Sequence, residues 1–141
     1  MSDVALLWIA QGVAAIGWIA LLAAPKAGPG AVRLARAAGA VLALSYLALF
    51  LTAPDGFLAL LRDYSPETIG TVFDDPRVAL IGWVPYLAFD LWVGAWEADE
   101  AARTGVAWPV LAPCLVLTCL VGPIGLLAFL AARRSRLRLG G

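Results

Sequence analysis

Long apolar segments alternate with short polar ones along the chain, a pattern typical of helices that cross a membrane. The apolar segments lie at about 4–24, 35–53, 78–97 and 109–132. Each is close to the length of about 20 residues that a helix needs to cross a hydrocarbon core of about 30 Å. We therefore predict a single transmembrane domain over 1–141, an all-α integral membrane four-helix bundle.

Polar segments at 25–36, 54–76 and 98–108 are predicted to connect these helices. The first is basic and rich in Pro and Gly. Within the second, the short apolar stretch 57–61 predicts an interfacial helix that is too short to cross. Asp74 and Asp75 favour a cap for the third helix over a cation site. Four crossings would put both termini on one side, and the distribution of Lys and Arg leans weakly toward the cytoplasm for that side.

The third apolar segment carries Asp90 well inside its length. An Asp at the centre of a membrane helix costs about 2.5 to 3.5 kcal/mol on insertion scales, so such a residue normally faces protein or a water-filled cavity. We therefore predict that the helix face bearing Asp90 is directed into the bundle. At 100° per residue this face also carries Ala79, Trp83, Tyr86, Val93, Gly94 and Glu97, whereas Phe89, Trp92 and Trp96 point to lipid or to another helix.

Asp90 and Tyr86 are the strongest candidates for chemistry because they lie one helical turn apart on this face. A carboxyl group in apolar surroundings can act as a general acid or base, and a phenol one turn away can hydrogen-bond to it or to a ligand. Trp83 could stack on a polyene or a ring. The alternative is a structural hydrogen bond that ties the third helix to Gln11, Ser45 or Thr118.

Composition supports a membrane protein and excludes several kinds of site. Hydrophobic residues make up 62% of the 141 residues and the mean hydropathy is +0.89, well above soluble domains. The net charge is zero, which gives no reason to expect a nucleic-acid partner. The chain has no His, so imidazole metal sites, haem ligation by His and Ser-His-Asp catalysis are ruled out. Cys114 and Cys119 are predicted to be small buried hydrophobes, and we expect no cofactor.

Two motifs resemble one family of membrane proteins. The first is Gly82-Trp83-Val84 with Tyr86-Leu87-Ala88-Phe89-Asp90-Leu91, and the second is Gly122-Pro123-Ile124-Gly125-Leu126-Leu127. Together they look like the plant abscisic-acid-deficient membrane proteins of neoxanthin synthesis and their bacterial relatives. In plants this family is linked to the conversion of violaxanthin to neoxanthin, in which an epoxide opens to an allene. The family usually has His where Pro85 stands and Arg where Ala95 stands.

The resemblance implies a carotenoid- or isoprenoid-modifying protein of the cell membrane. Asp90 would transfer the proton, with Tyr86 as its partner. Substrate would contact Trp83, Phe89, Gly94, Glu97 and Thr118. A second hypothesis is a non-catalytic membrane protein that binds a polyene or a partner, either another membrane protein or a second copy of the chain. A small transporter or channel is a third, weaker hypothesis. Membrane lipid is an expected partner in every case.

Overall fold

The computed structural model describes residues 2–139, except for the side chains of residues 26, 27 and 139, and this part of the chain is almost entirely helical. The all-α class is therefore confirmed. In chain order the helices are α1 (Asp3–Ala27), α2 (Pro29–Thr52), α3 (Asp55–Arg62), α4 (Pro66–Phe73), α5 (Pro76–Thr104), α6 (Trp108–Val121) and α7 (Pro123–Leu139).

Three of these helices, α1, α2 and α5, are long and apolar enough to cross a membrane. Helix α1 runs parallel to α5, because Asp3 pairs with Arg77 at one end (2.6 Å) and Gly17 lies against Leu91 further along. Helix α2 runs antiparallel to both. Its first turns reach Asp99 through an ion pair with Arg36, and its last residue, Thr52, accepts a hydrogen bond from Arg77. The three helices form the core of the molecule.

Small residues allow these helices to approach closely. A Cβ atom built on Gly94 of α5 would lie 2.7 Å from the Trp18 ring of α1. A Cβ atom on Gly39 of α2 would lie 2.7 Å from Trp92 of α5. Both distances are well inside van der Waals contact, so each glycine is the complement of a large aromatic ring on the neighbouring helix.

The two ends of this core differ in charge. We call the end that holds Asp3, α3, α4 and the start of α5 the acidic end, and the end that holds the α1–α2 junction and the last turns of α5 the basic end. The predicted short helix near 57–61 is confirmed as α3, which begins at Asp55. Helix α4 was not predicted. Its N-terminus is capped by Ser65, whose hydroxyl accepts a hydrogen bond from the Thr68 amide (3.2 Å).

Asp75 caps the start of α5, as predicted for the acidic pair. Its Oδ1 accepts hydrogen bonds from the amides of Arg77 (2.7 Å) and Val78 (3.4 Å). This position satisfies amides that have no partner within the helix, and it also places a negative charge at the positive end of the helix dipole.

Two predicted connections are largely helical, and these predictions were wrong. In place of a loop over 25–36, α1 continues to Ala27 and α2 begins at Pro29, so that Gly28 alone joins them. Its φ of +69° is a backbone conformation that glycine adopts without strain. In place of a polar loop beginning at residue 98, α5 continues to Thr104. The buried Glu100 is accommodated there because it pairs with Arg103 and Arg133 at 2.8 Å each.

The largest correction concerns the predicted fourth span at 109–132, which is a helical hairpin and not one continuous helix. Helix α6 runs antiparallel to α5 and ends at Val121. Helix α7 then returns parallel to α5. The successive contacts of α7 establish its direction: Phe129 packs edge-on against Trp96 (ring centroids 5.6 Å apart), and Arg133 pairs with Glu100. In the same direction, Arg136 donates to the Gly105 carbonyl (3.1 Å).

Gly122 and Gly125 make the reversal possible. Gly122 has a φ of +26°, which disfavours any residue with a side chain, and Pro123 then begins α7 without an amide to satisfy. A side chain on Gly125 would overlap the backbone of Thr118 in α6. The reversal returns α7 to the basic end, whereas α1 begins at the acidic end. The prediction that both termini lie on one side was therefore wrong.

Candidate functional site

The tip of the α6–α7 hairpin meets α5 at Asp90, near the middle of that helix. A Cβ atom on Gly122 would lie 2.7 Å from Asp90 Oδ1, so the carboxyl group lies directly against the backbone of the turn. The half-buried Asp90 is thus in contact with protein. This contact agrees with the expectation that the cost of a carboxyl group at this depth requires a protein neighbour.

One oxygen of this carboxyl group lacks a hydrogen-bond partner. Asp90 Oδ2 is buried, and no donor reaches it from the described residues. Tyr86, one helical turn away in α5, does not satisfy that oxygen. Buried acceptors are nearly always paired in folded proteins, so an unpaired one calls for an explanation in terms of function or of a bound group.

Of the structural hydrogen bonds considered for the third predicted helix, the described part of the chain contains the one to Thr118, but it does not involve Asp90. Ser45 donates to the Val41 carbonyl of its own helix (2.8 Å). Thr118 donates instead to Glu97. Gln11 lines a cavity on the α1–α5 face and does not reach the carboxyl group.

Glu97 forms the second buried acidic position of the site, two turns below Asp90. Its side chain is 0% exposed, and its two carboxyl oxygens lie 2.9 and 3.1 Å from Thr118 Oγ1. The hydroxyl has a single hydrogen, so one donor serves the whole carboxyl group. The close approach of α7 at Gly125 closes this pair off from the surroundings.

Trp83 and Tyr86 lie above Asp90, toward the acidic end, where the hairpin no longer covers α5. Their rings stack 5.4 Å apart at 25° and remain 44% and 37% exposed. The prediction that the whole polar face is directed inward was therefore wrong for these two residues. Trp83 also lines a cavity of about 460 Å³ between α1 and α5, together with Gln11, Asp3, Val4, Leu7, Pro76, Ala79 and Leu80.

The other predicted substrate-binding residues lie apart from this cavity. Phe89 is 72% exposed on a different face of α5, where it borders a groove of about 390 Å³ with Tyr46, Pro85 and Trp92. Gly94 is covered by the Trp18 ring. The structure therefore brings Asp90, Tyr86 and Trp83 together, places Glu97 with Thr118 below them, and separates Phe89 and Gly94 from the group.

Gly122 is the residue of this site that sequence reasoning missed. The Gly-Pro pair at 122–123 was evident as an irregularity, but hydropathy carries no information on whether such a pair bends a helix or reverses it. The pairing of Glu97 with Thr118 was missed for the same reason, since it depends on how the hairpin docks.

The described residues contain no group of three or more His, Cys, Asp or Glu side chains that could hold a metal ion. The two cysteines are free thiols, with Cys114 buried and Cys119 partly buried. The polar chemistry available at the hairpin tip is therefore that of two carboxyl groups, a phenol and a hydroxyl.

Comparison with known proteins identifies the family. No curated protein and no solved structure matches the chain. The family model described as ABA DEFICIENT 4-like matches residues 5–129, from the first turn of α1 to Phe129 of α7. Since this match covers most of the sequence, the chain belongs to the ABA DEFICIENT 4-like family.

Proposed function

We propose that this protein is a multi-pass integral protein of the cell membrane that modifies a carotenoid or another isoprenoid by proton transfer at Asp90. In this proposal α1, α2 and α5 cross the bilayer. The α6–α7 hairpin enters from the basic end, reaches the depth of Asp90 and returns. This arrangement replaces a fourth crossing and is consistent with the 14-residue length of α6, which is too short to span.

The observation that carries the proposal is the unpaired Oδ2 of Asp90. A buried carboxyl oxygen without a hydrogen-bond partner lowers the stability of the fold. The same carboxyl group is free to accept or give a proton when a substrate atom reaches it. Tyr86 lies one helical turn from Asp90 in α5, so its phenolic O–H is available to a substrate held at that carboxyl group.

The proposed reaction is an isomerisation, which needs no oxidant or reductant. Opening an epoxide to an allene removes a proton from a carbon atom, breaks a carbon–oxygen bond and leaves a hydroxyl group. Asp90 would take the proton from carbon. It would return this proton to the released oxygen, either directly or through Tyr86, which would protonate the oxygen and then be reprotonated by Asp90. The exposed rings of Trp83 and Tyr86 offer a flat apolar surface for a polyene.

The test is to express the full chain in a carotenoid-producing host that contains epoxycarotenoids and to separate the pigments by chromatography. We expect wild-type protein to change the pigment profile and Asp90→Asn to abolish that change while protein abundance in the membrane is retained. Asp55→Asn, which alters an exposed carboxyl group of α3, is the matched control and should behave as wild type. An unchanged profile with wild-type protein, or a normal change with Asp90→Asn, would contradict the proposal.

A second candidate is a non-catalytic role in which the protein binds a polyene or a partner membrane protein. The observation that favours it is the aromatic surface of α5 formed by Phe89, Trp92 and Trp96, which borders the groove against α2 and a second groove of about 410 Å³ against α7. Under this alternative Asp90→Asn lowers abundance without a pigment effect, and purified protein carries a polyene absorption band that Phe89→Ala weakens.

A further inference from the structure

We propose that the basic end contacts the anionic lipid headgroups of the cytoplasmic leaflet, so that the C-terminus lies in the cytoplasm and the N-terminus on the opposite side. The proposal rests on the three membrane crossings of the proposed function, on the path of the hairpin and on charge. It does not depend on any chemistry at Asp90.

The basic residues are strongly divided between the two ends once the direction of α7 is known. Of the ten Lys and Arg residues, only Arg62 and Arg77 belong to the acidic end. The others lie at the α1–α2 junction, at the end of α5 and on α7: Lys26, Arg33, Arg36, Arg103, Arg133, Arg134, Arg136 and Arg138. Had the fourth segment crossed, the four arginines of α7 would lie at the other end and the division would nearly vanish.

Most of the acidic residues lie at the opposite end, although Asp99 and Glu100 lie at the basic end, where they pair with arginines. Asp3 and the carboxyl groups of the α3–α4 region lie at the acidic end: Asp55, Asp63, Glu67, Asp74 and Asp75. Cytoplasmic segments of membrane proteins carry an excess of Lys and Arg, which makes the basic end the cytoplasmic one.

Part of the basic charge is neutralised within the protein, and part is free to meet lipid. Arg36 pairs with Asp99, and both Arg103 and Arg133 pair with Glu100. Arg33, Arg134 and Arg138 form no ion pair with any residue the structure describes, and all three are exposed. All three residues belong to the basic end, where headgroups would lie, and anionic headgroups attract such residues.

The orientation is tested by labelling single cysteines in intact cells with a membrane-impermeant maleimide, after both natural cysteines are replaced (Cys114→Ala and Cys119→Ala). Thr71→Cys in α4 and Ser135→Cys in α7 form a matched pair, because both replace an exposed hydroxyl residue. We expect Thr71→Cys to react in intact cells and Ser135→Cys to react only after the membrane is permeabilised. Equal reactivity of the two positions, or the reverse order, would overturn the proposal.

The lipid contact is tested on the purified full chain by measuring its melting temperature with added phosphatidylglycerol or phosphatidylcholine. We expect a rise with phosphatidylglycerol only, and a loss of most of that rise in the double variant Arg134→Gln/Arg138→Gln. Arg62→Gln at the acidic end is the control and should retain the rise. A rise that persists in the double variant, or that phosphatidylcholine also produces, would refute the contact with anionic headgroups.

Discussion

At the scale of single residues, the fully buried Glu97 depends on one donor, the hydroxyl of Thr118. Removing that donor leaves a buried carboxyl group without a partner, which costs about 1–3 kcal/mol. We therefore predict that Thr118→Val lowers the free energy of unfolding by that amount, although it preserves the shape of the side chain. Thermal unfolding in detergent measures the effect. Thr118→Ser keeps the hydroxyl and should lie much closer to wild type, and equal losses in the two variants would contradict the role of the hydrogen bond.

Gly122 gives a second prediction at this scale. An alanine there meets two obstacles, the positive φ of +26° and the Asp90 carboxyl group 2.7 Å from the new Cβ. Gly122→Ala should destabilise the protein by about 1–3 kcal/mol, since strained backbone positions cost this much.

A double-mutant cycle separates the two obstacles at Gly122. Adding Asp90→Ala to Gly122→Ala should recover part of the loss, because the steric conflict disappears while the backbone strain remains. If the two losses are simply additive, the carboxyl group does not lie against the turn.

The presence of Asp90 in an apolar segment predicted contact with protein, but its neighbour could not be identified from sequence. A carboxyl group is costly in any apolar segment of membrane-spanning length, and the residues around position 90 are enough to identify such a segment. The identity of Gly122 as the neighbour depends on the direction of α7. Trp83 and Tyr86 were wrongly placed inside because a helical face is defined along its whole length, whereas the hairpin covers only half of α5.

At the scale of elements, close packing of α1 on α5 depends on glycines that face large side chains. Gly94→Leu should lower the free energy of unfolding by about 1–3 kcal/mol, because Trp18 occupies the space that the new side chain requires. Gly12→Leu is the matched control, since a Cβ atom at that position would have no neighbouring atom within 4 Å. Denaturation in detergent measures both. Equal stability of the two variants would show that α1 does not pack on α5 at Trp18.

The existence and type of the long helices followed from hydropathy, but the ends of the helices did not. Helix α5 extends past residue 97 because Arg103 and Arg133 neutralise Glu100, so that this carboxyl group can be buried within the helix. Hydropathy alone treats Glu100 as a polar residue and therefore predicts a loop at this position. The hairpin was missed because the apolar stretch 109–132, which covers α6 and the first half of α7, has about the length of one crossing, so hydropathy fits a straight helix and a reversed pair equally well.

At the scale of the whole molecule, the hairpin divides the surface of α5 into two halves. Toward the basic end, α6 and α7 cover the polar face and bury Glu97. Toward the acidic end the same face is open at Trp83 and borders the cavity between α1 and α5. A ligand of Asp90 would therefore approach along the open half, past Trp83 and Tyr86, and the turn at Gly122 would form the floor of its site.

The central claim is that the chain reverses at Gly122. Crosslinking of Arg133→Cys in membranes tests this claim most directly. The natural cysteines are again replaced (Cys114→Ala/Cys119→Ala). The reversal places position 133 beside position 100, where Arg133 Nε lies 2.8 Å from Glu100 Oε1. A straight fourth helix would carry position 133 to the level of Ala79, roughly 30 Å away at a rise of about 1.5 Å per residue. We predict efficient crosslinking of Glu100→Cys/Arg133→Cys by a short bifunctional maleimide and none of Ala79→Cys/Arg133→Cys. The opposite result would contradict the hairpin and with it the contact between Gly122 and Asp90.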